Sequence, residues 1–131
     1  MVEQIDPMTG RLHTYMEIVD VNNVRQNRDM VVSQFLAPTE THHMTSKPPA
    51  SLAGYVATKK ALVKLVRDRL HETQTSEKDF ILNHDPRGGL VLQSVPIQHH
   101  AALRTHDISI SMSHTANTAV GIVVYRENGD G

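Results

Sequence analysis

The sequence predicts an α+β fold: one long helix packed on a mostly antiparallel sheet. Three observations predict it. Leu52, Val56, Val63, Val66 and Leu70 recur at helical spacing within "LAGYVATKKALVKLVRDRLHE", residues 52–72. "FILNHDPRGGLVLQSV", residues 80–95, reads as strand, turn, strand, with Asp85–Gly89 as the turn. "DISISMS" and "TAVGIVVY" form a second hairpin pattern around Ser113-His114-Thr115.

From the start of the chain, residues 1–12 are polar, with a turn signal at Pro7–Gly10, and residues 1–14 read as an N-terminal extension. Met16, Ile18, Val19, Val21 and Val24 predict a strand in "HTYMEIVDVNNV", with Asn22-Asn23 ending it or capping the next element. "RQNRDMVVSQFLAPTE" predicts a short helix that stops before Pro38. "THHMTSKPPA" predicts a loop, marked by Pro48-Pro49. Ser51 is the expected N-cap of the long helix. Beside the helix's apolar stripe runs a second one, small and then basic: Ala53, Ala57, Lys60, Lys64, Arg67 and His71. "TQTSEKD" is a polar loop, and "PIQHHAALRTH" a connector with room for one helical turn. The expected domain spans residues 15–125, and residues 126–131 form a loose tail.

Composition narrows the function classes. The chain has 131 residues, which sets one domain as the prior. Hydrophobic residues are 39%, with two Phe, three Tyr and no Trp, so the core must be aliphatic. A net charge of −1 argues against a broad nucleic-acid grip. The absence of cysteine removes disulfides, thiolate metal sites and cysteine nucleophiles together. No apolar run approaches the ~20 residues of a membrane span, and the N-terminus lacks a signal-peptide pattern. The expectation is a soluble cytoplasmic protein.

The chemistry-bearing residues gather at the second hairpin. Ser113, His114 and Thr115 offer more hydrogen-bonding groups than a turn needs, although Ser and Thr often satisfy turn backbone themselves. Glu17 and Asp20, three apart on a strand, point to opposite faces, so they are no simple carboxylate pair. His42-His43 and His99-His100 lack the Cys or HExxH context of a zinc site. Asp107, His114 and Ser113 lack the nucleophile elbow of a hydrolase.

Four stretches, in order, resemble the phosphopantetheinyl transferase superfamily, small holo-acyl-carrier-protein synthase type. "EIVDVNNV", Glu17–Val24, resembles the opening strand D-I-V-E-I-E-R-I. "LAGYVATKKALVKL", Leu52–Leu65, resembles the helix A-A-R-F-A-A-K-E-A-x-x-K-A. "DPRGGL", Asp85–Leu90, resembles the D-x-x-G-K-P turn, and "SMSHT", Ser111–Thr115, the S-[LI]-S-H-T hairpin. The resemblance implies a holo-acyl-carrier-protein-synthase-like fold and transfer of the phosphopantetheine arm of coenzyme A to a carrier-protein serine. It implies a homotrimer with sites at subunit interfaces, an acyl or peptidyl carrier protein as partner, and Mg²⁺ held by two acidic side chains. It also implies site residues. Glu17 takes the first metal-ligand position. Lys59, Lys64, Gly88, Ser113, His114 and Thr115 fall among the cofactor contacts, and Lys60, Lys64 and His114 among the catalytic positions.

The match departs from the family at four places. Lys60 stands at the second metal-ligand position, Tyr55 at a phosphate-binding Arg, and Gly89 and Leu90 at the Lys and Pro of the turn. An ammonium has no lone pair for a metal. Two readings of Lys60 stay open. Its ammonium replaces the metal, pairing with Glu17 or reaching a phosphate, or the metal site is lost and the pair only preserves the fold. The corresponding alternative function is a catalytically degenerate relative that binds carrier protein or nucleotide as a scaffold.

Overall fold

An antiparallel sheet carries the long helix on one face. The computed structural model describes residues 2–6, 10–84, 89–99 and 103–127. Most of the expected turn at 85–89 and of the expected tail lies outside these residues. The four-stranded sheet runs in the order β1 (Val2–Asp6), β2 (Gly10–Asp20), β6 (Thr118–Glu127), β5 (Ile108–His114). Between β2 and β5 the described residues form four α-helices and a small antiparallel pair. These are α1 (Val21–Gln26), α2 (Arg28–Phe35), α3 (Pro38–Met44), α4 (Pro49–Leu70), β3 (Ile81–His84) and β4 (Leu90–Ser94). Single 3-10 turns cover Glu77–Asp79, Ile97–His99 and Thr105–Asp107. No helix among the described residues is long and apolar enough to cross a membrane.

Strand alternation decides what the sheet presents on each side. Directly paired residues share a face. The row Tyr15–Val123–Ile110 therefore lies on one side, and Met16–Ile122–Ser111 on the other. Tyr15 and Val123 are buried under α4, while Met16 and Ile18 are 50% and 59% exposed. The helix comes close to the sheet because residue 121 has no side chain. A Cβ there would lie 2.2 Å from the Thr58 nitrogen. The sheet on one side, with α1, α2 and the Glu77–Asp79 turn on others, buries α4 all round from Leu52 to Lys59. Leu52, Val56, Val63 and Val66 of the expected stripe are buried, and so are Ala53 and Ala57 of its neighbour.

Several boundaries differ from the sequence expectation. Val21 and Val24 lie in α1, not in the strand. The Asp20 carboxylate accepts from the Asn22 N–H at 2.9 Å, so Asp20 is the cap, and the two valines are buried on one face of the helical turn. Residues 41–44 are helical, not loop. Pro38 opens α3, and the Glu40 carboxylate accepts from the Ala37 N–H at 2.8 Å, fixing its first turn. The long helix starts at Pro49 rather than after a Ser51 cap, and ends at Leu70 because His71 is left-handed, φ 55°. The sheet takes in residues expected to lie outside the domain: β1 pairs with β2, and β6 continues to Glu127.

Candidate functional site

The Ser-His-Thr residues divide into three roles once the strand register is known. Ser113 pairs with Val120 and faces outward with Ile18; His114 pairs with Ala119 and faces the helix side with Val19. Thr115 makes the turn. Its hydroxyl accepts from the N–H groups of Asn117 at 3.2 Å and Thr118 at 3.1 Å, and its own N–H donates to the Thr118 carbonyl at 2.8 Å. The Val21 N–H donates to the Asn117 carbonyl at 3.0 Å, which ties this turn to the start of α1. Ser113 and His114 are exposed and turn bonding does not use their side chains up.

These two residues open onto a cleft of about 360 Å³ between the end of β5 and the β3–β4 pair. Its lining includes His84, Gly89, Ile110, Met112, Ser113 and His114. A Cβ at position 89 would meet nothing within 4 Å, so the start of a side chain there has open space around it. Gly88 lies outside the described residues. A larger cleft of about 630 Å³ lies beside α2 and α3, with Arg28 and Lys78 on its wall. The Arg28 guanidinium is already committed to the carbonyls of Met44 (3.1 Å), Thr45 (2.5 Å) and Lys47 (2.6 Å). That wall holds loops together and has less charge to offer an anion.

Glu17, Lys60 and Lys64 are not in the 360 Å³ cleft's lining. Glu17 lies on the helix side of β2, in the row Glu17–Gly121–Met112, two strands and about 10 Å of strand spacing from β5. Its carboxylate pairs with Lys64, not with Lys60, at 3.1 Å, and Lys64 also donates to the Met16 carbonyl at 3.1 Å. Lys60, one turn earlier on α4, directs its ammonium over the Phe35 ring, 5.2 Å from the centroid. The opposite-face expectation for Glu17 and Asp20 agrees with the register: Asp20 pairs with Thr118 on the outer face and caps α1.

Lys59 is placed away from any ligand surface. Its side chain is wholly buried, and its ammonium donates to the Glu40 carboxylate and, at 3.1 Å, to the Phe35 carbonyl. Burial lowers its pKa, and the hydrogen bond and charge of Glu40 oppose that shift. Tyr55 is buried in the same network. Its single proton lies between the other Glu40 oxygen at 2.7 Å and the Leu82 carbonyl at 2.8 Å. Burial first, and then Glu40, raises the pKa of its hydroxyl. Leu82 N–H donates to Glu40 at 2.9 Å. Glu40 thus receives four donors, from α3, α4 and β3. Sequence reasoning missed it, although Pro38 at the first helical position and an acid two residues later are a helix-start signal.

The donor set does not fit the magnesium ion that the resemblance implies. Mg²⁺ needs hard oxygen ligands. The first position, Glu17, is neutralised by an ammonium, and the second carries another. Among the described residues no three His, Asp or Glu side chains stand close enough to hold a metal.

The fold itself matches solved structures. A holo-acyl-carrier-protein synthase from Helicobacter pylori, solved in complex with coenzyme A, superposes with a TM-score of 0.68 at 21% identity, covering 85% of this chain and 97% of that one. The holo-acyl-carrier-protein synthase of Bacillus anthracis gives 0.64 at 19% identity, covering 88% and 96%. That of Neisseria meningitidis gives 0.65 at 22%, covering 87% and 97%. This chain has the holo-acyl-carrier-protein synthase fold. No protein-family model matches the sequence, and no curated protein does. At these identities the likeness establishes architecture, and the activity rests on the site.

Proposed function

We propose that this chain is a phosphopantetheinyl transferase of the holo-acyl-carrier-protein synthase kind, with coenzyme A as donor and a carrier-protein serine as acceptor. The observation that carries the reading is the cleft at the end of β5. In a fold with solved coenzyme A complexes, exposed Ser113 and His114 meet open space at Gly89. The reaction forms one P–O bond to the serine and breaks the bridging P–O bond of the diphosphate. Adenosine 3′,5′-bisphosphate leaves, and the serine proton passes to water. Charge on the leaving phosphate must be neutralised, a role for His114 at the cleft. The resemblance adds Lys64, which lies outside the cleft's lining, as a second phosphate contact, and Ser113 and Gly88 as cofactor contacts. Thr115 shapes the turn that presents them, and Lys59 belongs to the frame. An acidic acyl or peptidyl carrier protein suits the exposed Lys64 and Arg67 on α4.

The outer sheet face supports a homotrimer. Met16 and Ile18 are exposed beside Val120 and Ile122 in the same rows, an apolar surface that a second copy would cover. Calorimetric titration of coenzyme A into the purified protein tests the donor assignment. Saturable binding that weakens about tenfold in His114→Ala agrees with a phosphate contact. Binding of equal strength in both proteins would remove His114 from the site, and no binding would remove coenzyme A.

A further inference from the structure

Glu17, Lys60 and Lys64 bring one carboxylate and two ammoniums to neighbouring positions on β2 and one face of α4. Residues 60 and 64 stand one turn apart, so their Cβ atoms are about 5–6 Å from each other. Lys64 holds Glu17 at 3.1 Å, which consumes the only negative charge of the three. The sum is a net positive site before any metal arrives. A divalent cation entering here would face two like charges and one carboxylate already paired. A diphosphate, by contrast, finds one half-exposed ammonium shared between a partly exposed acid and the Met16 carbonyl. It finds a second whose attractive contact is an aromatic face, which leaves its three donors free to turn.

We propose that this site takes a diphosphate ester without a divalent metal, the ammoniums of Lys60 and Lys64 standing in for the ion. The proposal rests on the coenzyme A reading for its natural ligand, but its charge logic concerns the chain itself. Lys64 releases or shares Glu17 when the anion binds, and Glu17 keeps the ammonium on the β2 side until then. Lys60 leaves the Phe35 ring to reach the anion.

Two measurements decide it. Manganese is titrated into the protein alone and followed by electron paramagnetic resonance. The wild type leaves the ion free, and Lys60→Glu, which supplies a second carboxylate, gains a bound-ion signal. Stoichiometric manganese binding by the wild type overturns the proposal. Separately, coenzyme A and inorganic pyrophosphate are titrated in EDTA and in magnesium. The affinities agree within about twofold, and Lys60→Gln and Lys64→Gln each lose about tenfold in EDTA. Binding that appears only with magnesium, or that ignores both lysine changes, overturns it. Pyrophosphate binding without coenzyme A binding would sink the coenzyme A reading and leave the metal-free anion site standing.

Discussion

Glu40 is where a charge inside the protein is made tolerable. A buried carboxylate and a buried ammonium each lose several kcal/mol of solvation, and only close pairing with further hydrogen bonds offsets this. Here the Ala37 N–H, the Lys59 ammonium, the Tyr55 hydroxyl and the Leu82 N–H all converge on Glu40. Glu40→Ala strands the Lys59 charge and is expected to cost about 3–5 kcal/mol, read from urea denaturation. The double change Glu40→Leu with Lys59→Met is expected to cost less than either single change, because no charge is left unpaired. A larger, additive loss in the double variant would show that the pair is not coupled. The hydroxyls of Tyr15 and Tyr55 are both held above the ordinary 10.0, burial being the first cause and the Asp68 and Glu40 carboxylates the next. A raised tyrosine stabilises the fold while the unfolded chain is still protonated. Stability is therefore expected to hold below pH 10 and to fall above it, and Tyr55→Phe should flatten that fall in alkaline unfolding curves. None of this network was legible in the sequence, because Lys59 belongs to a basic run and only tertiary packing says which lysine turns inward.

At the scale of elements, the contact between α4 and the sheet depends on glycines. Gly121→Ala would put a Cβ 2.2 Å from the Thr58 nitrogen, and backbone cannot give way cheaply. The expected loss is at least about 1–3 kcal/mol. Gly54→Ala meets the Met112 Sδ at 2.7 Å, the far part of a flexible side chain, so its cost should be smaller. Gly89→Ala meets open space and should leave stability unchanged. Chemical denaturation of the three variants checks the order, and an equal effect at 121 and 89 would contradict the close approach. The long helix and both hairpins were readable because their apolar periodicity runs over several turns or strand residues. The Val21–Met44 region was not. Its helices are short, and they are fixed by the Asp20 cap and the Pro38–Glu40 start rather than by periodicity.

At the scale of the whole molecule, the first part of β2 and the end of β6 meet the last turn of α4. Glu127 of β6 takes hydrogen bonds from His13 at 3.0 Å and Arg69 at 2.6 Å. The His13 bond, with burial opposing and the Arg69 charge adding, lowers the Glu127 pKa from the ordinary 4.5. Its contribution is present above pH 4.5 and is lost as pH falls through the lower folded value. Glu127→Gln should therefore lessen the steepness of acid unfolding below pH 5 without shifting the alkaline limb. The outer sheet face gives another expectation at this scale. Ile18→Glu places a charge among Met16, Val120 and Ile122, and sedimentation should show smaller species than the wild type. Unchanged sedimentation of a folded variant would remove that face as the interface. The architecture was legible from four ordered motifs. Which ammonium would meet Glu17 was not, since Lys60 and Lys64 share a helix face and only the position of β2 selects Lys64.

The proposed lysine-assisted transfer of phosphopantetheine is tested by the intact mass of an apo acyl carrier protein. The carrier is incubated with this protein, coenzyme A and EDTA. Its mass should increase by one phosphopantetheine, and no increase should occur with Lys60→Gln. A carrier that stays unmodified in EDTA and in magnesium, while coenzyme A still binds, would contradict lysine-assisted transfer and make the chain a binding relative of the synthases.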